Sequence, residues 1–168
     1  MEIEAYIALG SNIGDRELNL LRAVAEVGKM PESKVTALSS FYETSPVGNV
    51  IQEVFYNAVL RLTTQLDARS LLVNLQRIEN ETFKRVRTIH QGPRSMDLDL
   101  LLYGDKVINE KDLVVPHPRL TERRFVLEPL CEIAPNLVHP LTGKTVHELL
   151  ASLKSDETVV KLLSEELV

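Results

Sequence analysis

Apolar and polar residues recur along this chain in short blocks that can be read one by one. Residues 3–9, IEAYIAL, form a strand-like run. Gly10, Ser11, Asn12, Gly14 and Asp15 follow as a turn able to cap a helix. Leu18, Leu21, Val24 and Ala25 then recur at helical spacing and predict the first helix. A second strand-like segment spans 34–43, and Thr44 to Asn49 is a loop by composition. Residues 54–63, VFYNAVLRLT, read as a strand whose period of two puts Phe55, Asn57, Val59 and Arg61 on one face. Residues 67–83 are the clearest helix. Asp67 caps it, and Ala68, Leu71, Leu72, Leu75 and Ile78 form its apolar stripe. Gln76 and Glu79, three apart, are neighbours on its surface.

A loop over 84–94 leads into a strand at Met96–Tyr103 and a turn at Gly104-Asp105. The loop Pro116-His117-Pro118 precedes a helix from about Glu122 to Ile133, and the acidic stretch after Asp156 reads as a solvated helix or tail. The order is strand, helix, strand, strand, helix, strand, then additions. That is the split βαβ pattern of a ferredoxin-like α+β core, with a largely antiparallel sheet, helices packed on it and extra C-terminal elements. Adjacent strands with no helix between them argue against a doubly wound parallel sheet.

The chain has 168 residues, which fits one domain over 1–168. It is 44% hydrophobic but only 5% aromatic, with no Trp, so aliphatic side chains must fill the core and each aromatic is worth locating. A net charge of −5 argues against a general nucleic-acid binder. Two local islands run against that average. Residues 84–94 hold Lys84, Arg85, Arg87, His90 and Arg94 without an acid, and a second island holds His117, Arg119, Arg123 and Arg124 against Glu122 alone. Basic islands in an acidic chain imply a local anionic ligand. The single cysteine, Cys131, cannot form an internal disulfide and fits a reducing compartment. The N-terminus lacks a signal-peptide pattern, and no apolar run approaches the ~20 residues of a membrane span. A cytoplasmic protein, a monomer with no membrane partner, is the expectation.

Asp97 and Asp99 are the first candidates for chemistry. On a strand they project to the same side, opposite the apolar Met96, Leu98, Leu100 and Leu102. Side by side the two carboxylates repel. A hard cation such as Mg²⁺, which borrows further ligands from phosphates and water, relieves that; pairing each Asp with an arginine such as Arg94 is the alternative. Arg85, Arg87 and Arg94 suit forked contacts to phosphate, or else belong to a solvated loop. Phe55 and Phe125 read as core aromatics from position alone, although two rings can also sandwich a flat heterocycle. Asn57 can read the edge of such a ring or bond a loop backbone. Neither a Walker loop nor the protein-kinase motif set occurs.

Gly92-Pro93-Arg94-Ser95-Met96-Asp97-Leu98-Asp99-Leu100-Leu101-Leu102-Tyr103-Gly104 resembles the signature of the 6-hydroxymethyl-7,8-dihydropterin pyrophosphokinase family. The resemblance extends to Tyr6-Ile7-Ala8-Leu9-Gly10-Ser11-Asn12, to Phe41-Tyr42-Glu43-Thr44-Ser45-Pro46-Val47-Gly48, to Val115-Pro116-His117-Pro118-Arg119, to Arg123-Arg124-Phe125-Val126-Leu127 and to Glu132-Ile133-Ala134-Pro135. It implies transfer of the β,γ-pyrophosphoryl unit of ATP to the pterin hydroxymethyl oxygen with release of AMP, a step of folate biosynthesis, on a ferredoxin-like fold. It names Arg94, Asp97 and Asp99 as the catalytic set, with two Mg²⁺ ions on Asp97 and Asp99. Gln76, Glu79, Arg85, Arg87, Arg94, His117 and Arg123 would line the ATP side. Phe55 and Phe125 would sandwich the pterin, and Thr44, Asn57 and the backbone of Val47 would bond its edge. Residues 84–94 would close over ATP as a lid.

Some positions depart from the family pattern. Gln91 stands where many members carry Trp, Phe55 where Tyr is frequent, Asp112 and Val114 where some have Arg and Thr, and Pro118 where some have Tyr. Two other functions use overlapping features. A Mg-dependent nucleotidyltransferase would release pyrophosphate instead of AMP, and a non-catalytic ferredoxin-like module would bind ligand without turnover.

Overall fold

The strand Ile3–Ser11 (β1) lies in the middle of the sheet, flanked by β4 (Phe55–Thr64) and β5 (Asp97–Tyr103), both antiparallel to it. The computed structural model describes residues 1–44, 54–83, 95–155 and 157–162. The far edge of β4 is shared by two short strands. β2 (Ser33–Leu38) pairs along its Leu60–Thr64 half and β3 (Tyr42–Thr44) along Phe55–Asn57. A last strand, β8 (Val159–Lys161), extends the sheet beyond β3. The order β5-β1-β4-β2, with the helix Arg16–Gly28 (α1) between β1 and β2 and the helix Ala68–Arg77 (α2) between β4 and β5, is the ferredoxin-like arrangement expected from the element order.

Alternation along β1 divides the interior. Ala5, Ile7 and Leu9 face α1 and α2, whereas Tyr6 and Ala8 face the helices α3 (Arg124–Ile133) and α4 (Val146–Ser152). Helices therefore cover both faces. On the first face α2 buries Ala68, Leu71 and Leu75, and Ile78 follows them. Each fully buried aliphatic side chain of this kind contributes about 1.5–3 kcal/mol. Asp67 caps α2 by accepting the Ser70 N–H at 2.7 Å, and Asp15 caps α1 by accepting that of Leu18 at 3.0 Å.

Several expectations are corrected. The helix at 67–83 changes after Arg77 into a π-helical turn, Ile78–Thr82. Helix α1 turns Leu20, Ala23 and Val27 inward and leaves Leu18 and Leu21 about half exposed, because its apolar residues fit two neighbouring faces and packing selects the other one. The segment 34–43 divides into β2 and β3 at Ser39. There the Ser39 hydroxyl accepts the Val59 N–H at 2.9 Å in place of a strand carbonyl, which lets the edge bend without leaving β4 unsatisfied. In β5, Tyr6 pairs with Leu102 and Ile7 with Leu100, so Leu101 is an extra residue. This bulge moves Leu102 off the face of Met96, Leu98 and Leu100 and places it with Leu101 beneath α3 and α4. The helix from Glu122 separates into a 3-10 turn, Leu120–Glu122, and α3. The tail after Asp156 contains β8, which forms because the edge of β3 offers it a partner. The hairpin of β6 (Ile108–Glu110) and β7 (Leu113–Val115), and α4 with its Thr145–Glu148 capping box, are additions that sequence reasoning left unassigned.

Candidate active site

Where the second core ends, the sheet face opens into a cleft of about 480 Å³. Its floor comes from three adjacent strands: Ala8 and Gly10 of β1, Phe55 and Asn57 of β4, and Asp97 and Asp99 of β5. Register fixes their arrangement. Gly10 pairs with Asn57 on one side and with Asp97 on the other, so these three stand in one row across the sheet. Two interstrand steps separate Asn57 from Asp97 by roughly 10 Å between Cα atoms. Asp99 pairs with Ala8 in the next row on the same face.

The amide end of this row is tightly built. The Thr44 hydroxyl donates to Asn57 Oδ1 at 2.7 Å, and both residues are buried. This bond orients the amide, whose Nδ2 then lies over Gly10. A Cβ at Gly10 would stand 2.9 Å from that nitrogen and 3.8 Å from Phe55 Cδ1. Position 10 must therefore lack a side chain for the amide and the ring to sit as they do.

The opposite wall is the chain from Pro116 into α3. The N–H of His117 donates to the Leu101 carbonyl at 2.9 Å, and its Nδ1 accepts the Arg119 N–H at 3.1 Å. Burial first, then the charges of Arg123 and Arg119, hold the imidazole at a pKa of about 4. His117 is thus neutral at pH 7, and with Nδ1 accepting, its proton resides on Nε2. Arg123 stands just before α3 with its guanidinium 5.5 Å from the centre of the Phe125 ring. Burial lowers its pKa, while Asp99, Glu157 and Glu122 favour its charged form. Phe125, in the first turn of α3, and Phe55, on β4, are both half-buried and open onto this cleft.

Gln76 and Glu79 are not among the lining residues. Gln76 is exposed on α2. Glu79 is buried in the π-helical turn, where its Oε2 accepts the Leu98 N–H at 2.6 Å, gripping β5 between the two aspartates. Val47, Lys84, Arg85, Arg87, His90, Gln91 and Arg94 lie outside the described residues.

Residues 6–135 match the model of the 7,8-dihydro-6-hydroxymethylpterin-pyrophosphokinase family. The chain belongs to that family. A Bacillus subtilis protein named 2-amino-4-hydroxy-6-hydroxymethyldihydropteridine pyrophosphokinase is 50% identical over 77% of this chain and 77% of its own length. The Pneumocystis carinii folic acid synthesis protein fol1 is 45% identical over 84% of this chain, but the match spans only 19% of that longer protein. The fold is shared with a solved Plasmodium falciparum HPPK-DHPS variant with pterin and p-hydrobenzoate, at a TM-score of 0.72 and 17% identity, covering 90% of this chain and 44% of that one.

The cleft has contributors that sequence reasoning missed. Arg119 and Glu122 line it as an exposed pair 3.2 Å apart, and their place in the second basic island was the available signal. Lys154, Ser155 and Glu157 also line it, from a stretch beyond the part matched by the pyrophosphokinase family model. Nothing local to those residues marks them, because they reach the cleft only through tertiary docking. Among the described residues, no helix is long and apolar enough to cross a membrane.

Proposed function

We propose that this chain is a pyrophosphokinase that transfers the β,γ-pyrophosphoryl group of Mg-ATP to the hydroxymethyl oxygen of 6-hydroxymethyl-7,8-dihydropterin, releasing AMP, in folate biosynthesis. The observation that carries the reading is the Asn57–Gly10–Asp97 row. It puts an amide flanked by an aromatic ring at one end of a single floor and a carboxylate pair at the other. A pterin held by the amide end extends its hydroxymethyl arm towards the acids. In this reading Phe55 and Phe125 stack on the ring faces, and Thr44, Asn57 and the Val47 backbone bond its edge.

Asp97 and Asp99 suit Mg²⁺. They are hard oxygen donors, half-buried, on one face of one strand. Among the described residues no group of three or more His, Cys, Asp or Glu side chains is placed to hold a metal. A carboxylate pair fits an ion that completes its shell with phosphate oxygens and water. Mg²⁺ held there would offset negative charge on the phosphoryl oxygens. Glu79, by gripping Leu98, keeps both aspartates aimed at the cleft. His117 offers a neutral Nε2–H donor and Arg123 a cation to the polyphosphate. Gln76, Glu79, Arg85, Arg87 and Arg94 are the further residues proposed for the ATP side, Gln76 and Glu79 from outside the cleft lining and Glu79 with one carboxylate oxygen held by the Leu98 N–H, and Arg94 joins Asp97 and Asp99 in the catalytic set.

The hydroxymethyl oxygen forms a bond to the β-phosphorus. The bond from that phosphorus to the α,β-bridging oxygen breaks, AMP departs with the oxygen, and the hydroxyl proton passes to solvent water. Positioning and charge stabilisation do most of this work, and no strong base is required. Residues 1–168 act in this proposal as one catalytic domain, a cytoplasmic monomer handling small molecules, without nucleic acid or membrane.

Purified protein incubated with Mg-ATP, with and without the pterin, tests the proposal by quantifying AMP, ADP and pyrophosphate. Pterin-dependent AMP is expected. Pterin-dependent pyrophosphate would instead mark a nucleotidyltransferase, and pterin binding without turnover a binding module.

A further inference from the structure

Helix α3 starts without a side-chain cap of its own, since Arg123 at its N-cap position makes no such bond. The missing acceptor comes from 33 residues further along the chain. Glu157 Oε1 accepts the Arg124 N–H at 2.9 Å. The same oxygen accepts the Ser155 hydroxyl at 3.0 Å, and the Ser155 hydroxyl accepts the Glu157 N–H at 3.1 Å, so Ser155 holds the carboxylate in place. Arg124 returns the contact by donating to the Leu153 carbonyl at 3.3 Å. Leu153, Ser155 and Glu157 are thus clipped to the first turn of α3, which carries Phe125. An anion at this end of a helix is also favoured by the helix dipole. We infer, resting on the pyrophosphokinase reading above, that Glu157 is a positioning residue for the pterin: it caps α3 from a distance and so sets the Phe125 wall against Phe55.

The charge of Glu157 separates this role from general stabilisation. Glu157 is an anion lining the cleft beside Arg123. Removing it loosens the pterin wall but does not remove any attraction for polyphosphate. Kinetics of Glu157→Ala and Glu157→Gln in the full chain read this directly. For Glu157→Ala, KM for the pterin should rise by up to about 5-fold, the limit reached when binding must supply all of the ordering that the lost helix-capping hydrogen bond provided. KM for ATP should stay the same or fall, and kcat should hold. Glu157→Gln keeps an oxygen acceptor for the Arg124 N–H and should recover most of the pterin affinity. A parallel rise in both KM values, a loss of kcat alone, or Gln behaving like Ala would each overturn the inference. Pterin-dependent AMP formation by the unmodified chain tests the underlying reading separately, so the two failures cannot be confused.

Discussion

Gly10→Ala is the substitution for which the site geometry makes the sharpest demand. Gly10 occupies ordinary strand backbone, so alanine meets no conformational strain there, and replacing a strand-interior glycine should by itself stabilise the fold by about 0.5–1 kcal/mol. The added Cβ, however, would lie 2.9 Å from Asn57 Nδ2, whereas ordinary contact begins near 3.4 Å. The amide must retreat by about 0.5 Å. It cannot do so freely, because Oδ1 is tied to the buried Thr44 hydroxyl at 2.7 Å. Breaking or distorting that bond costs about 1–3 kcal/mol, and so far as binding must return the amide to its place this limits the loss of pterin affinity to roughly 5- to 150-fold. ATP should be little affected, since neither Asn57 nor Thr44 is on its proposed side. Steady-state KM for each substrate at saturating partner measures the split. In an Asn57→Ala background the obstructed amide is gone, so Gly10→Ala should add almost nothing, and the double-mutant cycle isolates the coupling. A Gly10→Ala protein that was more stable but had unchanged pterin KM would refute the reasoning.

Three further perturbations follow from the same geometry. Asp97→Ala should lower turnover at least ~100-fold while circular dichroism and melting temperature stay near those of the parent, because a charge-stabilising ligand at the reacting phosphoryl is lost; normal turnover by the folded variant would remove the metal assignment. Phe125→Ala should weaken pterin binding with ATP binding nearly unchanged, as titration calorimetry with each ligand would show; equal loss for both would indicate a folding defect. His117 has a folded-state pKa of about 4, below the ordinary 6.5, chiefly through burial. Between those values the unfolded chain takes up a proton that the folded chain refuses. The stability it contributes is therefore full above about pH 6.5 and is lost as pH falls through 4. Urea denaturation across that window should show this loss reduced in His117→Asn, and an identical pH slope in the two proteins would contradict it.

Much of the scaffold was legible because local pattern and tertiary outcome agree. Helix α2 carries one apolar stripe with an Asp cap, and the structure buries that stripe except for Leu72, which is half-buried at its margin. Asp97 and Asp99 alternate with Met96, Leu98 and Leu100, so strand period alone predicted that both acids share a face. Legibility ended where the pattern was degenerate. The run Leu100-Leu101-Leu102 has no alternation with which to locate a bulge, so strict alternation puts Leu102 on the side of Met96 whereas the bulge turns it to the other. Leu18, Leu20 and Leu21 offered α1 two faces, and only packing against the sheet chose between them. Ser39 reads in sequence like any strand residue, whereas its hydroxyl replaces a ladder bond by accepting the Val59 N–H. Glu157 lies in an acidic stretch that reads as solvated, and its role depends on a contact with Arg124 that no local rule anticipates.

The central claim is best tested by following the phosphorus atoms. Two parallel reactions, one with α-labelled and one with γ-labelled ATP, each supplied with 6-hydroxymethyl-7,8-dihydropterin and Mg²⁺, distinguish the possible transfers after chromatographic separation of nucleotide from pterin. Pyrophosphoryl transfer places the γ label in the pterin product and leaves the α label entirely in AMP. An α label in the pterin product, or α label recovered as ADP in step with product formation, would contradict the account.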